Sequence, residues 1–62
     1  MNELLKHVAD KLGVEIEVMT TDISRGACKD FGDYKWATGI VRGLQIANGI
    51  IADTAQQVEE DD

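Results

Sequence analysis

The chain has 62 residues, a formal net charge of −6, one Cys, one His and no Pro. That length allows one domain at most, and chains this small bury little surface without a disulfide, a metal or a partner. Cys28 has no second cysteine to pair with, and one His with one Cys makes a poor metal site, so oligomerisation or docking on a larger assembly is the expected source of stability. The acidic balance disfavours direct contact with nucleic acid or an anionic membrane. Four of the carboxylates sit in Glu59-Glu60-Asp61-Asp62, which leaves the body only mildly acidic. A lone thiol fits a reducing compartment. Met1-Asn2-Glu3 does not read as the start of a secretory signal, and the apolar run from Gly39 to Ala52 contains Arg42 and is too short to span a bilayer.

The first element is a helix over about residues 2–24. Met1, Leu5, Val8, Leu12, Ile16, Met19 and Ile23 recur at spacings of three and four, with Leu4 widening the stripe and Glu3, Lys6, Asp10 and Glu17 lying opposite. Lys6 with Asp10, and Lys11 with Glu15, stand at ion-pair spacing on a helix. A strand competes at 14–19, where Val14, Ile16 and Val18 alternate with Glu15, Glu17 and Met19. The stripe passes through Gly13 without losing phase, which favours one continuous helix. Val14 and Val18 lie off the stripe and speak for the strand.

Residues 25–30 read as a loop. Gly26 suits the left-handed position that closes a helix. Asp30 or Asp33 can cap the next helix, and Phe31 ahead of Tyr34 can close the turn as an apolar lid. The second helix is expected over about residues 31–59, followed by a frayed acidic tail, because carboxylates oppose the dipole at a helix C-terminus.

Plotted at about 100° per residue, the second helix carries an apolar arc roughly 240° wide, against about 100° for an ordinary surface helix. Lys35, Thr38, Arg42, Gln45, Gly49, Asp53 and Gln56 fill the polar remainder. One packing partner cannot cover such an arc. The chain therefore reads as an all-α, antiparallel two-helix hairpin that oligomerises or docks on a larger assembly. The candidate protein interface is Trp36, Gly39, Ile40, Gly43, Ile46, Ala47 and Ile50, on one edge of the arc. Gly39, Gly43 and Ala47 stack at spacings of four, where small residues let another backbone approach closely. Asn48 interrupts the apolar arc, and either fixes register in an oligomer or sits at its rim.

No catalytic constellation emerges. His7 lies near Glu3 and Lys11 on an exposed face, Ser24 has no reason to approach it, and the glycines of the second half lie in a helix rather than a phosphate-binding loop. The expectation is a non-enzymatic protein without a metal or cofactor.

Asp33-Tyr34, then Gly39-Ile40-Val41-Arg42-Gly43-Leu44 and Ala47, then an acidic C-terminus, resemble a group of small tailed-bacteriophage proteins of the head and packaging gene region. Ala37 stands where such proteins often carry a second aromatic. The resemblance covers about residues 30–62. It implies a virion or head-assembly accessory, assembled in the host cytoplasm, that binds itself or a larger phage structural protein such as portal or capsid. It supplies no catalytic residue. The alternative is an acidic DNA-mimic inhibitor of a host nucleic-acid-binding protein. Mimicry requires carboxylates spread along a face at phosphate spacing, whereas here they bunch in the tail.

Overall fold

The computed structural model describes residues 2–61 and contains two helices, α1 (Glu3–Ser24) and α2 (Phe31–Asp61), packed as a hairpin. No strand occurs among the described residues, so Val14 to Met19 are helical and Gly13 does not break α1. Met1, the first member of the expected stripe, and Asp62, the last carboxylate of the tail, lie outside the described residues.

Both ends of α1 and the start of α2 are closed by specific capping contacts. At the start of α1 the Asn2 Oδ1 accepts hydrogen bonds from the backbone N–H of Leu4 at 2.9 Å and Leu5 at 3.1 Å. These are two of the donors that the first turn leaves without partners. At the other end Gly26 has φ +81. Its N–H donates to the carbonyl of Ile23 at 3.1 Å, and the Ala27 N–H donates to that of Asp22 at 3.1 Å. This is a Schellman motif, and its left-handed residue is the one the sequence points to. Asp30 caps α2, its Oδ1 accepting from the Asp33 N–H at 2.8 Å, while Asp33 reaches back to the Lys29 N–H at 3.3 Å. The two aspartates thus share the task, as in a capping box. α2 continues to Asp61, into the stretch where the dipole argument anticipates a frayed end.

The seam between the helices is thin. From α1 it takes Leu5, Ala9, Leu12, Ile16, Met19 and Ile23, all half-buried. From α2 it takes Ala37, Val41, Leu44, Asn48, Ile51 and Ala55, of which only Ala37 and Ala55 are buried. No large side chain is fully buried among the described residues, although a fully buried Leu or Ile contributes roughly 1.5–3 kcal/mol. The hairpin is long, with Cα extents of 49 × 15 × 12 Å and a radius of gyration of 14.4 Å, where a compact chain of this length has about 11 Å. Its accessible surface is 4753 Å².

Candidate interaction surface

Trp36, Ile46 and Ile50 are 70%, 50% and 61% exposed, so α1 does not cover them. Gly39 and Gly43 are exposed as well, and a Cβ added at either would meet nothing within 4 Å. The close approach expected at these glycines therefore does not come from the chain's own first helix. Ile40 and Ala47 are half-buried, at the edge where this surface meets the seam. The seven residues span an arc of about 120° on α2, set roughly a third of a turn from the seam.

α1 carries a matching flank that the sequence stripe does not reveal. Leu4, Val8, Val14 and Val18 are 71%, 37%, 57% and 49% exposed. Val8, Leu4 and Val18 lie about 60°, 100° and 140° from their helix's seam, in the same rotational sense as the flank of α2, and Val14 lies opposite the seam. In antiparallel helices equal rotations, each in its own helix's sense, arrive on the same side. Leu4, Val8 and Val18 therefore lie on the same side of the hairpin as Trp36 and Ile50, whereas the exposed rings of Phe31 and Tyr34 lie on the other. Two surface recesses near the loop agree with this division. Asp22 of α1 and Trp36 of α2 border the recess on the apolar side, whereas Thr20 of α1 and Tyr34, Thr38 and Arg42 of α2 border the one on the other side.

The opposite face is polar apart from Phe31 and Tyr34 near the loop. Lys6, Asp10, Glu17 and Ser24 lie on it from α1, and Arg42, Gln45, Gly49 and Gln56 from α2. Lys6 and Asp10 form an exposed ion pair at 3.2 Å, worth a few tenths of a kcal/mol. Thr38, expected in the polar sector, is half-buried and donates its hydroxyl to the Lys35 carbonyl at 3.0 Å. Near the loop Phe31 and Tyr34 stack with ring centroids 6.4 Å apart, and the Lys35 Nζ lies 5.6 Å from the Phe31 ring centre. Phe31 is 71% exposed, so it is not a lid over the turn; it is held by Tyr34 and Lys35 on its own helix.

Asn48 lies neither at a rim nor on the outward face. It sits in the seam, and its Oδ1 is shielded from solvent and accepts no hydrogen bond from the described residues. A buried polar atom left without a partner costs about 1–3 kcal/mol. The polar break in the apolar arc thus weakens the contact between the chain's own helices.

His7 and Ser24 are separated by about 25 Å along one helix, and the Ser24 hydroxyl donates to the Thr21 carbonyl at 2.8 Å. No group of three or more His, Cys, Asp or Glu residues that could hold a metal ion occurs among the described residues. No helix of the described residues is long and apolar enough to cross a membrane. Comparison with protein families, with curated proteins and with solved structures finds no match to the chain.

Proposed function

We propose that the chain is a non-enzymatic assembly module that binds itself, or a larger structural protein, through the apolar face of the hairpin. The observation that supports this reading is the placement of Trp36, Ile46 and Ile50 outside the seam, continuous with Leu4, Val8 and Val18 of α1. Exposed large apolar side chains gathered on one side of a small protein, here with Lys11, Glu15 and Asp22 among them on α1, mark an interaction site. Trp is among the residue types most enriched at interface hot spots. The resemblance of residues 30–62 to small tailed-phage proteins narrows the setting to a virion or head-assembly accessory, built in the host cytoplasm. Portal or capsid protein is then the larger partner.

The decisive experiment is the protein composition of purified particles from a host expressing the chain. Recovery with the particle at fixed stoichiometry is the expected result. The doubly substituted Ile46→Glu/Ile50→Glu chain is expected to stay behind in the lysate. Equal recovery of the two chains, or of neither, would refute the assignment.

A further inference from the structure

We propose that a second copy of the chain covers the apolar face, in an antiparallel two-fold dimer that places α1 on α1 and α2 on α2. This deepens the assembly reading above by naming one partner and its geometry. Two independent observations carry it, one of area and one of charge.

A folded monomer of 6.8 kDa is expected to expose about 3,950 Å². The hairpin exposes 4753 Å², roughly 800 Å² more. A standard interface takes about 800 Å² from each partner. Pairing two hairpins face to face removes the surplus and yields a four-helix bundle in which every neighbour is antiparallel.

The second observation fixes the direction of pairing. Ile23 lines the recess on the apolar side of the loop with Trp36 and Ala37 and the one on the other side with Tyr34 and Thr38, which puts it about level with residues 34–38 of α2. Ten residues further from the loop than Ile23 and Ala37 stand Gly13 and Ala47. A two-fold axis crossing the face at this level exchanges positions on either side of it. On α1 it brings Lys11 of one copy to Glu15 of the other, twice, and Val8 to Val18. On α2 it brings Trp36 level with Val58, and Ile50 about level with Gly43. The one mismatch on α1 sets Leu4 against Asp22, near the rim. Lys11 and Glu15 are both exposed and have no ion-pair partner among the described residues. Ile50 over Gly43 also gives the exposed glycine, where a Cβ would meet nothing in the chain, a large side chain to receive. If both copies pointed their loops the same way, α1 would face α2 instead, and Lys11 would lie at the level of Gly49, with no carboxylate there.

The test is complementation between two single variants of the full chain, Lys11→Glu and Glu15→Lys. Each alone sets like charges against one another across the axis, and its dimer dissociation constant by sedimentation should rise about tenfold, two exposed contacts being inverted from attractive to repulsive. Mixed in equal amounts, the two should form a heterodimer as tight as the unsubstituted dimer. In that heterodimer both contacts across the axis again join a carboxylate to an ammonium, one in the original sense and one with the charges exchanged. An effect within one helix cannot be rescued by mixing. Labels on Cys28 supply the second readout. The antiparallel arrangement puts the two loops at opposite ends, about 45 Å apart, and Cys28–Cys28 disulfides should not form within the dimer. Three results would overturn the proposal: a monomer at all concentrations, no gain on mixing, or neighbouring Cys28 labels. Any of these combined with normal recovery of the chain in particles would leave the assembly reading standing with a different partner.

Discussion

The two apolar flanks of α2 differ in a way that composition does not show. The flank against α1 is built from small or medium residues, holds Ala37 and Ala55 as its only buried members, and includes an unpartnered Asn48. The flank facing outward holds exposed Trp36, Ile46 and Ile50, with Gly39 and Gly43 between them. The seam leaves Val41, Leu44 and Ile51 only half-buried, and Trp36, Ile46 and Ile50 are placed where the chain's own partner helix does not cover them.

The largest expected effect comes from removing the outward flank's apolar character. Ile46→Glu/Ile50→Glu should weaken self-association at least about 100-fold, since each buried Ile contributes roughly 1.5–3 kcal/mol in each copy. Sedimentation at micromolar concentration reads this directly, and unchanged association would dissolve the contrast between the flanks. The seam responds to bulk in the reverse sense. Ala55 is fully buried, so Ala55→Leu should destabilise the hairpin by about 1–3 kcal/mol and lower the thermal midpoint. An unaltered midpoint would mean that the seam opens freely at that position.

Gly43→Leu separates helix formation from assembly. Leu gains about 0.8 kcal/mol of helix propensity over Gly, and nothing in the hairpin obstructs it, so helicity by circular dichroism should hold or rise. Self-association should fall about tenfold, an expectation that normal assembly of this variant would remove. Asn48→Leu should raise the stability of the hairpin by about 1 kcal/mol by deleting the unpartnered Oδ1 from the seam. A lower midpoint would show that the amide has a role the seam geometry does not express. Truncation before Glu59 is the smallest change. It removes carboxylates that oppose the dipole and no apolar side chain, and should leave melting and association within about 0.5 kcal/mol of the full chain. Loss of association with helicity intact would instead make the tail a binding element.

Much of the fold is legible in the residues because it rests on local rules. The apolar period that runs through Gly13 belongs to one helix, Gly26 is where a left-handed residue is needed, and an aspartate stands at the start of α2. Asn2 is equally local, with the residue type and position of a cap, but the apolar stripe beginning at Met1 draws the eye past it. The candidate surface is harder to read. Periodicity assigns each residue an angle but not a neighbour, so a 240° arc does not say which part meets α1. The flank of Leu4, Val8, Val14 and Val18 shows the difficulty. Leu4 and Val8 read as part of the seam stripe and Val14 and Val18 as evidence for a strand, until the hairpin leaves all four exposed outside the seam. Asn48 illustrates the same limit, since its cost depends on the helix opposite.

Trp36 is the only tryptophan, and it stands 70% exposed at the centre of this question. Its indole should fluoresce at the long wavelength of a hydrated ring when the hairpin is alone, and shift to the blue when a partner excludes water from that face. Phe31 does not interfere with this signal, and the lone Tyr34 points to the opposite side of the molecule. The chain thus contains its own optical gauge of occupancy. Dilution, salt, a candidate capsid protein or a charge-reversed copy can each be scored by emission colour alone, with no label attached.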